Sequence, residues 1–195
     1  MLIQITGIDA AFANMGFARM RFDTKAPRET LELVELRLIT TEGQHKKEVR
    51  KSSDDLRRAR ELVKAVSSYC TGSLIAAVEV PTGSQSARSA WSLGIAVGVI
   101  AACPTTLVEV SPLEVKMASA GKKTASKAEI IEWATTRHPH SGWLKHKGKL
   151  TQTNEHLADA VASIYAALET PVLHALCGTY AESLHREPTR RIQLL

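Results

Sequence analysis

The sequence is short of the features that mark several specialised classes of protein. It has three cysteines (Cys70, Cys103 and Cys177), an odd number in no metal-binding spacing, which argues against a disulfide framework and a structural zinc site. The longest apolar run, residues 95–103, is far shorter than the roughly 20 residues of a membrane span. The first residues show neither a basic lead segment nor a signal-peptide cleavage site. We therefore expect a cytoplasmic protein without a membrane partner.

The composition is that of a globular domain with a modest excess of positive charge. The 195 residues are 44% hydrophobic and 23% charged, which excludes fibrous and intrinsically disordered classes. Lys and Arg number 25 against 20 Asp and Glu, giving a net charge of +5. This balance favours a polyanionic partner, and a merely soluble basic protein is the alternative.

The hydrophobic pattern predicts strands first and helices later. Residues 2–8, 16–24 and 31–41 alternate, which predicts a meander whose third strand points Leu31, Leu33, Leu36 and Leu38 inward. Ser52 to Asp55 offer N-cap residues for a helix to about residue 70, and the apolar run 73–80 predicts a central parallel strand. A helix at 86–102 and a strand at 105–110 follow. One further helix begins at residue 111, and three more are predicted at 125–137, 154–168 and 171–184. Together they predict a mixed α/β sheet of about five strands.

Acidic side chains occur at positions that a hydrophobic core does not require. Asp9 ends the first strand, and Glu79 lies inside the apolar central strand. His156 and Asp159 are three residues apart on a predicted helix and therefore share a face, whereas Glu155 is turned roughly 100° away. If the first and fourth strands are neighbours, these groups converge into an oxygen-rich cluster that suits Mg²⁺ or Mn²⁺.

Each of these residues also has an ordinary structural explanation. Glu79 in isolation is explained by a salt bridge to Arg88 or to a nearby lysine. Asp9 is a common residue type before a turn, and His156 and Asp159 are compatible with a solvated helix surface. The functional explanation is that these residues together hold divalent ions. Two such ions about 3.5–4 Å apart activate water and stabilise the leaving oxygen of a phosphodiester.

Four motifs occur in the order and spacing of one nuclease family. They are residues 7–16 (GIDAAFANMG), Val78-Glu79 with the helical segment 89–98, residues 112–116 (PLEVK) with 121–127 (GKKTASK), and residues 156–162 (HLADAVA). In these motifs the chain, over about residues 2–168, resembles the RuvC family of Holliday junction resolvases, within the ribonuclease H-like superfamily. Residues 169–195 lie outside the resemblance, as a helical extension with a basic tail.

The resemblance implies a fold, an activity and a set of partners. The fold is a ribonuclease H-like α/β domain over residues 1–168, with a mixed five-stranded sheet in the order 3-2-1-4-5, strand 2 antiparallel, flanked by helices. The activity is symmetric cleavage of four-way DNA junctions by a homodimer, with two Mg²⁺ or Mn²⁺ ions in each active site and 5′ phosphates as products.

The resemblance also assigns roles to single residues. Asp9, Glu79 and Asp159 match metal-binding carboxylates, and His156 matches a position that is aspartate or histidine in family members. We hypothesise that Asp9 bridges two ions, that Glu79 holds the one that activates water, and that Asp159 with His156 holds the other at the leaving oxygen. Lys116 and Lys127 match basic residues facing DNA. Lys122 and Lys123 lie in the same loop, and we include them as DNA-binding residues.

The sequence departs from the family pattern at two loops. Ala10 and Ala11 follow Asp9 where the family has Pro-Gly. The loop at residues 80–83 lacks the aromatic residue that many relatives insert into the junction centre. The helix from about residue 86 matches the family's dimerisation element, where Gly94 and Gly98 allow either close helix approach or tight packing against the sheet.

A second basic segment, residues 137–149, contains Arg137 and three lysines together with His138, His140 and His146. Its position near the last acidic helix favours phosphate binding, and a solvated loop is the alternative. Trp143 within it fits stacking on a base and packing of the loop equally well.

Three other functions compete with junction resolution. Another ribonuclease H-like nuclease, acting on other branched DNA, RNA–DNA hybrids or structured RNA, shares the acids but not the substrate. An actin-like kinase or ATPase also opens with a similar glycine motif, but it needs a second phosphate loop and a second similar domain, which 195 residues do not accommodate. An inactive junction-binding scaffold retains the lysines and does not need Glu79.

Overall fold

The computed structural model of the chain describes residues 2–44, 50–80 and 83–185, and its centre is a five-stranded sheet. The strands lie in the order β3-β2-β1-β4-β5. The β1–β2 and β2–β3 pairs are antiparallel, whereas the β1–β4 and β4–β5 pairs are parallel. The strands are β1 (Leu2–Asp9), β2 (Asn14–Asp23), β3 (Glu32–Thr40), β4 (Ile75–Glu79) and β5 (Thr106–Val110). The predicted fold and strand order are therefore confirmed.

Helices cover both faces of this sheet. Along one face lie α3 (Pro112–Ala120), α4 (Lys127–Arg137) and α5 (Asn154–Ala167), joined by α6 (Pro171–His185), and along the other lie α1 (Lys51–Cys70) and α2 (Ala87–Ala101). A small hairpin, β6 (Lys145–His146) and β7 (Lys149–Leu150), precedes α5. Residues 81–82 of the loop without an aromatic residue, and the predicted basic tail at 186–195, lie outside the described residues.

No single helix in the described segments is long and apolar enough to cross a membrane. Residues Asn154–Ala167 and Pro171–Gly178 reach that length and composition only as a pair bent by 68°.

Strand alternation divides the core into two layers and fixes the face on which each residue lies. Ile3 and Ile5 of β1, and Ile75 and Ala77 of β4, pack in the layer that contains α5. Ile8 packs in the other layer, under α1 and α2. Because successive side chains of a strand point to opposite faces, positions 9 and 79 lie on the α5 face.

The third strand contains a bulge that explains an irregular spacing in the sequence. The register of β3 against β2 shifts between Arg19 and Met20, so that Val34 has no partner in the ladder and is exposed. The inward leucines, which are Leu31, Leu33, Leu36 and Leu38, all pack against the core as predicted. The bulge restores the inward face after the three-residue step from Leu33 to Leu36.

The start of α1 differs from the prediction. The helix begins at Lys51, its N-cap is Arg50 without a side-chain hydrogen bond, and the expected capping serines lie inside the helix. Asp54 and Asp55 are buried instead, because they pair with arginines. Leu56 and Val63, two apolar residues of this helix, are exposed.

Candidate active site

Two carboxylates meet at the ends of adjacent parallel strands. Asp9 is the last residue of β1, Glu79 is the last residue of β4, and the two are partners in the strand register. Neighbouring strands lie about 4.8 Å apart, and in-register residues of parallel strands point to the same face. Both side chains therefore lie on the face that α5 covers.

The loop after β1 is anchored without the Pro-Gly pair of the family motif. The Phe12 side chain is buried, and the Arg58 guanidinium lies 3.9 Å from the centre of its ring. Thr41 donates from its hydroxyl to the Phe12 carbonyl (2.6 Å) and from its amide to the Ala13 carbonyl (2.8 Å). Packing and hydrogen bonds at Phe12 thus fix the chain directly after Asp9.

Helix α5 brings the other two predicted site residues onto this face. It lies so close to the sheet that a Cβ on Gly7 would be 2.0 Å from the Ala160 carbonyl oxygen, and one on Gly16 would be 2.1 Å from the His156 carbonyl oxygen. Only glycine permits this approach. His156 and Asp159, one helical turn apart, therefore face the ends of β1 and β4.

The charges of the three carboxylates interact. Burial, and then the charge of Asp9, raises the pKa of Glu79 to about 7. Burial, and then the charges of Asp9 and Glu79, raises the pKa of Asp159 to about 7. Half-buried carboxylates that repel one another favour a bound cation or proton. The structure thus brings together the carboxylates of all three segments that the sequence singled out.

His156 is hydrogen-bonded to Asp9. Its Nδ1 donates to Asp9 Oδ2 at 2.6 Å, and this bond raises the pKa of His156 above its ordinary value. Glu155, which its angle on the helix disfavoured as a site residue, has its Oε1 3.7 Å from His156 Nε2 and its Oε2 in an ion pair with Lys127. The ion pair with Lys127 cannot be predicted from the helical spacing of α5, because it arises from the position of α4 beside α5.

The structure separates the four predicted DNA-binding lysines into two pairs. Lys116 and Lys127 lie near enough to the acids for their charges to oppose the rise in the pKa of Glu79. Lys122 forms an ion pair with Glu129 of α4. Lys123 is exposed on the turn that follows Gly121, whose φ of 71° ends α3.

The salt bridge proposed as the ordinary explanation of Glu79 does not involve Arg88. Arg88 donates two hydrogen bonds, of 2.6 and 2.7 Å, to the carboxylate of Asp55. Asp55 also accepts from the Trp91 indole (3.0 Å), so that this cluster ties α1 to α2 on the opposite face of the sheet. Among the described residues Glu79 forms no ion pair with a lysine either, although the charges of Lys116 and Lys127 act on it together with that of Asp9.

The donor set has the chemistry of a site for a hard divalent cation. Three carboxylates supply the oxygen ligands that suit Mg²⁺ or Mn²⁺, and their mutual repulsion favours a cation among them. Within residues 2–44, 50–80 and 83–185, no three His, Cys, Asp or Glu side chains stand at positions that would hold an ion. The residue types therefore fit the metal, and a hydrogen bond joins two of the four side chains, those of Asp9 and His156.

The fold is that of known junction resolvases. No protein-family model and no curated protein sequence matches the chain. RuvC of Thermus thermophilus in complex with a Holliday junction substrate is similar in structure, with a TM-score of 0.62 and 20% identity over 91% of this chain and 97% of that one. Another T. thermophilus RuvC structure gives a TM-score of 0.55 at 20% identity, over 92% and 97% of the two chains.

A eukaryotic enzyme shows the same likeness. The yeast mitochondrial Holliday junction resolvase has a TM-score of 0.53 and 10% identity, over 90% of this chain and 85% of its own. In all three comparisons the similarity spans most of both chains. The chain therefore has the fold of the RuvC-like Holliday junction resolvases.

Proposed function

We propose that this protein is a metal-dependent endonuclease that resolves four-way DNA junctions by paired, symmetric cuts leaving 5′ phosphates. The observation that carries the proposal is the in-register pairing of Asp9 with Glu79, faced by Asp159 from α5. Catalytic carboxylates delivered from separate elements of this fold are suited to holding cations beside a phosphodiester. The solved structures of the same fold described above, which are junction resolvases, support the choice of substrate.

The residues of the site have distinct roles in this proposal. Asp9, Glu79 and Asp159 would hold Mg²⁺ or Mn²⁺, which when bound polarises the scissile phosphate and makes water a better nucleophile. His156 orients the Asp9 carboxylate through their 2.6 Å hydrogen bond. Lys127 keeps Glu155 in place through their ion pair, and with Lys116 it supplies positive charge for the DNA backbone.

The substrate is tested by incubating the protein with synthetic four-way junctions, with Mg²⁺ and with EDTA. We expect nicks at symmetric positions on two opposing strands, only with Mg²⁺. An RNA–DNA hybrid and a plain duplex serve as competitors. Preferential cutting of the hybrid would replace the proposed substrate, and nicks in the presence of EDTA would refute the proposed metal dependence.

Symmetric cuts require two active sites, and α2 offers a surface for a second copy of the chain. Its outward side carries Trp91 and Val97, which are 55% and 42% exposed, and Gly94 and Gly98, which have no atom within 4 Å of an added Cβ. The alternative, tight packing of these glycines on the sheet, is therefore wrong. The residues of α2 that face the core are Ala96, Val99 and Ile100 instead. A two-fold dimer through this apolar face would present two sites to one junction.

A charge at the centre of this face should prevent dimerisation. We expect the protein to sediment as a dimer of the 21.2 kDa chain and Val97→Glu to sediment as a monomer, since an uncompensated carboxylate buried between helices costs several kcal/mol (about 3–5). Val172→Glu is the matched control, because Val172 is 53% exposed on α6 and should leave the mass unchanged. A dimeric Val97→Glu would place the interface elsewhere.

A further inference from the structure

The hairpin before α5 has a tightly constrained turn. Its two-residue strands are joined by Lys147 and Gly148, with φ of 49° and 79°. Positive φ at both central residues is the signature of a type I′ turn, which matches the twist of the flanking strands. Lys147 is the one non-glycine residue with positive φ in the described part of the chain. A lysine therefore occupies the tip of the hairpin, where Asn or Gly is the usual choice.

The hairpin carries only positive charge. Lys145, Lys147 and Lys149 alternate with His146 and Gly148, and every residue from 144 to 150 is exposed. None of the three lysines forms an ion pair with a residue that the structure describes. Three unneutralised cations within five residues repel one another unless an anion lies between them or beside them.

Buried contacts hold this small element in place. Two-stranded hairpins are marginally stable alone, but Asn154, which is fully buried, accepts from the Leu144 amide and donates to the Leu144 carbonyl, both at 2.8 Å. The Trp143 side chain is also buried and donates to the His138 carbonyl at 2.8 Å. Trp143 therefore packs the loop down, and base stacking is not its role.

Asn154 connects the hairpin to the acid cluster, which consists of Asp9, Glu79 and Asp159. Asn154 is the first residue of α5, and His156 follows within the same turn. The base of the hairpin is thus fixed at the end of the helix that carries the candidate catalytic residues. On its other side, the same end of α5 is tied to α4 by the ion pair between Glu155 and Lys127.

We propose that hairpin residues 144–150 form a DNA-binding wing that grips the phosphate backbone of a duplex arm next to the acid cluster. The inference rests on the proposed function for its ligand and concerns binding, not the chemical step. Lysine ammonium groups bind phosphates as point charges. The rigid base sets the distance from the gripped phosphates to the acids, and so the arm enters in one position.

The experiment measures junction affinity in EDTA, so that it does not depend on cleavage. The variant Lys145→Gln/Lys147→Asn/Lys149→Gln removes three charges, and Asn suits the left-handed turn position. The matched control Lys51→Gln/Arg60→Gln/Lys64→Gln removes three charges from exposed positions of α1, on the opposite face. A double variant, Lys145→Arg/Lys149→Arg, retains the charge.

We expect the hairpin variant to bind a synthetic four-way junction about 10–100-fold more weakly at 0.1 M salt, with the slope of log K against log salt smaller by about 2.7, or roughly 0.9 for each lost phosphate contact. The α1 control and the arginine variant should bind like the parent protein, and all melting temperatures should agree. If the hairpin variant binds as tightly as the α1 control, the wing is refuted even where the parent protein cleaves junctions. A loss of affinity in a protein that never cleaves would support the wing and refute the proposed function alone.

Discussion

Changing Asp9 to Asn is expected to reduce Mg²⁺-dependent junction cleavage on the order of 10³-fold or more, while junction binding stays within about 3-fold. Asn has nearly the same shape, and its carbonyl oxygen still accepts the hydrogen bond from His156. The change therefore removes a negative charge from the cation site and little else. Single-turnover cleavage and binding in EDTA measure the two effects separately.

Glu79→Gln should behave in the same way, because Glu79 is the in-register partner of Asp9. Glu32→Gln is the matched control, since Glu32 is exposed on the edge strand β3 and makes the same chemical change away from the site. Its cleavage rate should equal that of the parent protein. Normal cutting by either site variant would show that the acids do not form the active centre.

Strand periodicity explains why the two strand ends that carry Asp9 and Glu79 in the candidate site could be predicted from the sequence. Asp9 follows an alternating segment, and Glu79 ends an apolar run, so both strand ends were visible without long-range information. The three-residue spacing of His156 and Asp159 likewise follows from helix geometry alone. What the pattern did not supply was the pairing of β1 with β4, which came from the family resemblance and which the structure confirms.

Features that depend on contacts between distant residues escaped the sequence. Asp55 was included among the N-cap residues of α1, whereas the helix begins at Lys51 and the Asp55 carboxylate binds Arg88, 33 residues away. Lys145 to Leu150 show no periodicity over a useful length, so the hairpin, which Asn154 stabilises from outside, was taken for an irregular loop. Glu155 was disfavoured by its angle on the helix, but its ion pair with Lys127 and its position 3.7 Å from His156 place it beside the candidate site.

Adding one methyl group at Gly7 is expected to destabilise both the fold and the site. In Gly7→Ala the new Cβ would lie 2.0 Å from the Ala160 carbonyl oxygen and 2.8 Å from Ile164 Cγ1. The carbonyl belongs to the helix backbone and cannot rotate away, so α5 must move off the sheet. We expect a loss of about 3 kcal/mol or more in the free energy of unfolding, which corresponds to a melting temperature lower by roughly 6–12 °C.

Gly16→Ala should act in a similar way but closer to the acids, because its Cβ would meet the carbonyl oxygen of His156 itself at 2.1 Å. Moving that backbone displaces His156 from Asp9, so cleavage should fall further than stability alone explains when both are measured below the melting transition. Gly178→Ala is the control: nothing lies within 4 Å of its added Cβ, and alanine favours the helix by up to about 1 kcal/mol. A Gly7→Ala or Gly16→Ala protein that melts with the parent would mean that α5 sits farther from the sheet than the site requires, and the convergence of Asp159 with Asp9 and Glu79 would lose its structural basis.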